Sequence, residues 1–245
     1  MALKKTTMLF TGFLFMGVLL LGLVSCQGLA VNGNGNGNGG NVTQVGKDGS
    51  TSVDLSQLQA ALEQFPVGEL TSTEEAGILY VREEEKLAHD VYTALYEKWN
   101  LPIFQNIASS EETHTNAMKL LIERYGLTDP ALPEAGKFTN KDLQDLYDQL
   151  VAQGEKSLID ALKVGAAIEE LDLLDIQKYV DATDKGDLKL VYENLMKGSR
   201  NHLRAFVSTL KKYGVTYTPQ YLSQEEYDQI INSAMEKGNS SGGSH

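Results

Sequence analysis

The chain reads as an all-α protein: a four-helix bundle with a long crossover between its second and third long helices, a short helix in that crossover, and short helices at the flanks. Three observations predict this. From Asp54 onward apolar residues recur every three or four positions, without the sustained alternation of a strand. Residues 51–237 hold only nine of the 23 glycines, and the whole chain has five prolines, so long helices can run unbroken. Start and stop residues then divide the sequence into four long periodic segments and several short ones.

The segment before Asp54 follows different rules. Met1–Ser25 has the organisation of a bacterial export signal: Lys4 and Lys5, an apolar run over Met8–Leu23, then small residues. The run is slightly short for a membrane span of about 20 residues. Leu23-Val24-Ser25-Cys26 resembles the lipobox of bacterial lipoproteins. That resemblance implies cleavage before Cys26, acylation of Cys26, and a lipid tether to the cell membrane or outer membrane, with the domain in the periplasm or outside the cell. Cleavage would remove two lysines and take the formal charge from −12 to −14. Residues 26–53, with alternating Asn and Gly over Asn32–Gly39, are expected to be a flexible tether. Residues 54–237 are expected to form the folded domain, and 238–245 a disordered tail.

Composition excludes several functions. Thirty-three acidic residues against 21 basic ones disfavour nucleic acid as a partner. The single cysteine rules out an intramolecular disulfide, a Cys-rich zinc site and an iron–sulfur cluster. No Gly-rich phosphate loop or nucleophile elbow occurs in a suitable setting.

The helical segments follow in order. Asp54–Phe65 is a short amphipathic helix stopped by Pro66. The first long helix spans about 73–98, opened by Ser72 with Glu75 three residues on, a capping-box pattern. The second begins with Pro102 in its first turn and ends at Gly126. Asn140 caps a short helix to about 153. Ser157 starts the third long helix, to about 180. Asp184 or Asp187 opens the fourth, which runs to Tyr213 with Lys211 and Lys212 at its negative end. Ser223 and Glu226 cap a last short helix.

Charged residues interrupt the apolar stripes. At 100° per residue, Glu111 and His114 fall on the face that carries Phe104, Ile107, Met118 and Leu121. Glu169 and Asp172 lie within the stripe of the third long helix, while Glu170 points away from it. Ser199 and His202 lie within that of the fourth. On the first long helix both Glu84 and Glu85 border the buried face, and the periodicity leaves the choice open. Burying one carboxylate unpaired is costly, and burying four is untenable unless a cation compensates them. Carboxylates and imidazoles converging from four helices are donors suited to iron, manganese or zinc. His89, at the edge of the buried face, reads as a surface or outer residue. Tyr92 and Tyr192 read as core tyrosines within reach of a ligand carboxylate.

These residues carry a resemblance. Glu85-x-x-Ala88-x-x-x-Tyr92 is similar to the first-helix signature of ferritin-like proteins, Glu111-x-x-His114 to their second-helix ligand pair, Glu169-x-x-Asp172 to the third-helix pair of rubrerythrins, and His202 to the fourth-helix histidine. The stretch from about Tyr80 to Phe206 looks most like the bacterial and archaeal domain of unknown function DUF2202, through Arg82–Tyr92, Ile107–Glu111 and Asn201–Phe206. The resemblance implies a rubrerythrin-like dinuclear centre held by Glu85, Glu111, His114, Glu169, Asp172 and His202. Iron is favoured over manganese or zinc, with oxidation of Fe(II) or reduction of O₂ or peroxide as the chemistry. It also decides for Glu85 over Glu84. Its partners would be metal ions, the membrane through Cys26, an external electron donor and, where the fold dimerises, a second copy. One departure stands out: the fourth-helix Glu-x-x-His pattern reads Ser199-x-x-His202 here, so one bridging carboxylate is missing. A non-catalytic metal-binding or interaction scaffold of the cell envelope is the alternative.

Overall fold

The computed structural model describes residues 42–237; the expected signal segment, Cys26, most of the tether and the tail from 238 lie outside the described residues. Four long helices form the bundle: α2 (Ser72–Trp99), α3 (Pro102–Tyr125), α5 (Leu158–Asp181) and α6 (Gly186–Lys212). Short helices α1 (Leu55–Leu62), α4 (Lys141–Gly154) and α7 (Gln224–Asn232) complete it, with α4 in the crossover between α3 and α5. Packing is most extensive within the α2/α3 and α5/α6 hairpins, and the two hairpins join through α2 against α5 and α3 against α6. None of the described helices is long and apolar enough to cross a membrane.

Local chemistry explains the boundaries. Asn140, Ser157 and Ser223 accept backbone N–H bonds at the starts of α4, α5 and α7, as their positions predict. Gly126 ends α3 in the left-handed region, with φ of 63°, where glycine carries no steric cost. The capping box of α2 sits one residue earlier than expected: Thr71 caps, and Glu74 reaches back to the Thr71 N–H at 2.8 Å. At the start of α6 neither Asp184 nor Asp187 caps; Lys185 occupies that position with no side-chain bond. Asp187 is instead buried in the first turn, where it accepts from Arg124 Nε at 2.9 Å and the Tyr125 hydroxyl at 2.7 Å.

The larger departure lies before α1. The expected tether extends to residue 53, but Thr43–Val45 (β1) and Thr51–Val53 (β2) form an antiparallel hairpin with Thr43 opposite Val53. An isolated two-stranded hairpin is marginal in water, and this one is docked. The Thr43 hydroxyl donates to Asn194 Oδ1 on α6 at 2.7 Å. The Thr51 and Val53 amides donate to the Ser110 and Thr113 hydroxyls of α3 at 2.8 and 3.0 Å. Three-residue runs such as Thr-Gln-Val and Thr-Ser-Val, close after an Asn/Gly repeat, are too short to register as periodicity. Only the groove between α3 and α6 gives them a structure.

Candidate metal centre

Each long helix delivers an ionisable side chain to one level of the bundle interior: Glu85 from α2, Glu111 and His114 from α3, Glu169 from α5 and His202 from α6. All five are at most 1% exposed. His114 Nδ1 lies 2.7 Å from Glu111 Oε2 and 3.3 Å from Glu85 Oε2. His202 Nδ1 lies 2.9 Å from Glu111 Oε1 and 3.4 Å from Glu169 Oε2. The result is two triads, Glu85–Glu111–His114 and Glu111–Glu169–His202, each with its ligand atoms within 4.8 Å of one another. Glu111 belongs to both, giving one oxygen to each histidine.

Five of the six expected ligands therefore converge. Asp172 does not join either triad; it is buried one helical turn along α5 from Glu169, its Oδ2 without a hydrogen-bond partner. Ser199 takes no part, since its hydroxyl is bonded back to Leu195 of its own helix at 3.3 Å. His89 sits at the edge beside Asp90, 2.9 Å away and partly exposed. The Tyr192 hydroxyl is buried with no partner, whereas the Tyr92 hydroxyl lies 2.5 Å from Glu169 Oε1 and fixes that carboxylate.

Two features that periodicity could not disclose shape the histidines. The rings are stacked, centroids 5.5 Å apart, and both turn Nε2 toward the Thr51 hydroxyl of β2, at 3.2 Å for His114 and 3.0 Å for His202. A ligating nitrogen must be unprotonated, so a ligating Nδ1 leaves the proton on Nε2. The Thr51 oxygen has two lone pairs and can accept from both rings. Gly198 supplies the second feature: a Cβ there would overlap the His114 ring, so α6 must present bare backbone where α3 places its histidine.

The electrostatics are those of anions crowded without enough partners. Burial pushes Glu85 up to about 7 against the pull of His114. Burial and the neighbouring acids push Asp172 well above the carboxylate range. Burial also opposes the Glu111 carboxylate, but His202 and His114 outweigh it and hold Glu111 below the ordinary range. Glu85 Oε1, Glu111 Oε1, Glu169 Oε2 and His202 Nδ1 all lack a hydrogen bond. The 2.9 Å approach of His202 Nδ1 to Glu111 Oε1 is therefore close without being aligned as a hydrogen bond.

The chain buries other acids in a different way. Glu170 accepts from the Tyr217 hydroxyl and from the Gln220, Tyr221 and Leu222 amides at 2.6–2.9 Å. Glu83 accepts from the Thr139 and Asn140 amides. These carboxylates pin loops. Those of the two triads retain unpartnered oxygens aimed at one another, which is the donor set of a cation site. The buried Glu and His groups could hold a metal ion.

The profile of a family described as "Uncharacterized protein domain (DUF2202)" matches residues 74–234. All five triad residues fall inside that match, and the hairpin with Thr51 falls before it. The chain is 53% identical over 178 residues to "Uncharacterized protein MJ0754" of Methanocaldococcus jannaschii, covering 72% of this chain and 96% of the relative. The crystal structure of hypothetical protein MJ0754 superposes with a TM-score of 0.69 at 54% identity, over 70% of this chain and 98% of that one. On the family match and this degree of identity, the chain belongs to the DUF2202 family.

Proposed function

We propose that the protein is a ferritin-like, lipid-anchored envelope protein whose bundle holds a dinuclear metal centre, with iron favoured over manganese or zinc. The observation that carries this reading is the sharing of Glu111. One carboxylate serves two histidine-containing triads, and each triad keeps an oxygen without a hydrogen-bond partner, Glu85 Oε1 in one and Glu169 Oε2 in the other. Glu85, Glu111 and His114 would hold one ion; Glu111, Glu169 and His202 the other. When bound, such a pair supplies electron transfer between Fe(II) and O₂ or peroxide. The chain's own contribution is to fix the donors: Tyr92 orients Glu169, Thr51 orients both imidazoles, and the Tyr92–Phe206–Phe104 aromatic contacts, at 5.3 and 6.0 Å, continue the apolar core from Glu169.

The deciding measurement is metal content of the intact chain, purified without a metal-affinity tag and reconstituted anaerobically with Fe(II). Two ions per chain are expected, falling in His114→Ala; an unmetallated protein after reconstitution would sink the reading. Oxygen consumption on adding Fe(II) then separates an oxidase from the second reading, a non-catalytic metal-binding scaffold. That second reading is favoured by Ser199, which leaves one bridging position without a carboxylate.

The outer partner is testable separately. Thr51→Val keeps the shape of the side chain and removes the acceptor for both Nε2–H groups. Metal affinity is expected to fall roughly 10–100-fold, the usual cost of losing a partner of a ligating histidine, as read by competition with a chromophoric chelator. Thr51→Ser should restore most of it. Unchanged affinity in Thr51→Val would show that the hairpin does not orient the rings.

A further inference from the structure

The residues of the two triads are closed off from solvent. Each is at most 1% exposed, and the four helices that carry them are 24–28 residues long. One bordering element is far shorter. The β1–β2 hairpin lies in the groove between α3 and α6, and its Thr51 hydroxyl approaches Nε2 of both imidazoles, at 3.2 and 3.0 Å. Thr51 also lines a cavity of about 470 Å³ that is open to solvent, together with Asp48, Ser50, Ser52, Asn106 and Ser110. A single hairpin residue therefore adjoins both the open cavity and the imidazole pair.

We propose that the hairpin is a lid over the imidazole side of the centre, and that its opening admits and releases divalent metal ions. Its role in ion traffic rests on the dinuclear reading above; its covering of His114 and His202 does not.

Three features make the hairpin the element that opens. The first is its stability. Two three-residue strands are marginal on their own, so this hairpin depends on its docking. Its side-chain hydrogen bonds to the helices join Thr43 to Asn194, the Thr51 and Val53 amides to Ser110 and Thr113, and Asp48 to Asn106. Short elements at the edge of a fold open locally far more often than long packed helices.

The second feature is the turn. Gly49 has a φ of 90° and lies against α6, on the stretch that carries His202. A Cβ there would stand 2.7 Å from Ala205 Cβ and 3.1 Å from the Asn201 carbonyl oxygen. The tip can seat because it is bare, and one methyl group is enough to lift it.

The third is Thr51 itself. The acceptor for both Nε2–H groups rides on the lid, so opening uncovers the imidazoles and frees their orientation in one movement. The closed lid keeps the donors fixed and retains ions; the open lid offers a path to a weakened donor set. Helix α6 makes room for this contact. A Cβ at Gly198 would stand 3.1 Å from Thr51 Oγ1 as well as overlapping the His114 ring.

The test probes the histidines and ion movement separately, on the intact chain. Gly49→Ala lifts the turn, and Ser110→Ala with Thr113→Ala removes both acceptors of the β2 amides; none of these residues is a proposed ligand. Amide exchange read by mass spectrometry should show residues 42–54 opening more often than α3 and α6, and faster still in both variants. In the metal-free chain, diethyl pyrocarbonate, which acylates imidazole nitrogen, should modify His114 and His202 slowly in the wild type and several-fold faster in the variants. His89, partly exposed at the edge of the bundle, is the internal reference and should react at one rate throughout. Anaerobic Fe(II) uptake, and Fe(II) loss to a chromophoric chelator, should both quicken several-fold in the variants. Hairpin amides as protected as those of α3 and α6, or faster hairpin exchange with unchanged His114 and His202 reactivity, would overturn the lid. Exposed imidazoles with unchanged Fe(II) rates would overturn its part in ion traffic and leave the dinuclear reading intact. Faster modification in chains that bind no iron, the wild type included, would support the cover and remove the dinuclear reading.

Discussion

Glu111→Gln should empty both halves of the centre at once, whereas Glu85→Gln or Glu169→Gln should empty or weaken only one. The expectation follows from position. Glu111 gives Oε2 to the His114 triad and Oε1 to the His202 triad, at 2.7 and 2.9 Å, and no other side chain belongs to both. Gln keeps the volume and one acceptor oxygen but loses the charge that two cations would share. Its amide nitrogen would also face a cation or a histidine. Affinity should fall by more than the roughly 10–100-fold that loss of an outer partner costs, and metal content from about two ions per chain to below one. Metal analysis after anaerobic reconstitution reads this directly. Two ions retained in Glu111→Gln would mean that the triads do not share a carboxylate when filled.

The second large effect is the pH response of the metal-free protein. Burial holds the Glu85 proton up to about 7, against an ordinary value of 4.5. His202 loses some basicity to burial, but Glu111 and Glu169 outweigh that and raise it from 6.5 to about 9. Glu169 and Asp172 are shifted upward as well, by burial first. The folded state therefore binds more protons than the unfolded chain between pH 4.5 and 9. Stability must fall as pH rises through that window. The Glu85 contribution is lost between 4.5 and 7, and the His202 contribution between 6.5 and 9. Glu111 acts in the opposite sense, since its lowered pKa destabilises the fold only on acidification below the ordinary carboxylate range. One group shifted as far as Glu85 is worth about 3 kcal/mol, and 1 kcal/mol moves the midpoint of a domain this size by about 2–4 °C. A fall of the order of 10 °C in Tm between pH 5 and pH 9 is expected. Divalent ions displace the same protons, so the loaded protein should show a much flatter profile and tighter binding at higher pH. A metal-free Tm that rises over this range would contradict the protonation pattern assigned to the interior.

Much of this protein was legible one residue at a time. Apolar spacing located the helices, and Asn140, Ser157, Gly126 and Ser223 marked boundaries, because these signals act within a turn or two of chain. Glu111, His114, Glu169 and His202 were legible for the same reason: helical phase alone places a side chain on the buried stripe. Phase could not decide between Glu84 and Glu85, and both are buried. It also marked Glu170 as outward, although the Tyr217–Leu222 segment folds over it and buries it completely.

Helical phase states which way a side chain points from its own axis; it does not state what waits there. The sequence by itself therefore determined an all-α bundle with acids and histidines facing inward. The tertiary structure decided which acids meet loop amides and which meet histidines and one another. It decided that Asp172 stands apart from both triads, that Gly198 makes room for His114, and that a threonine in the segment taken for tether holds both imidazoles. Each of those depends on the distance between elements far apart in the chain. Packing sets that distance, and no local pattern encodes it.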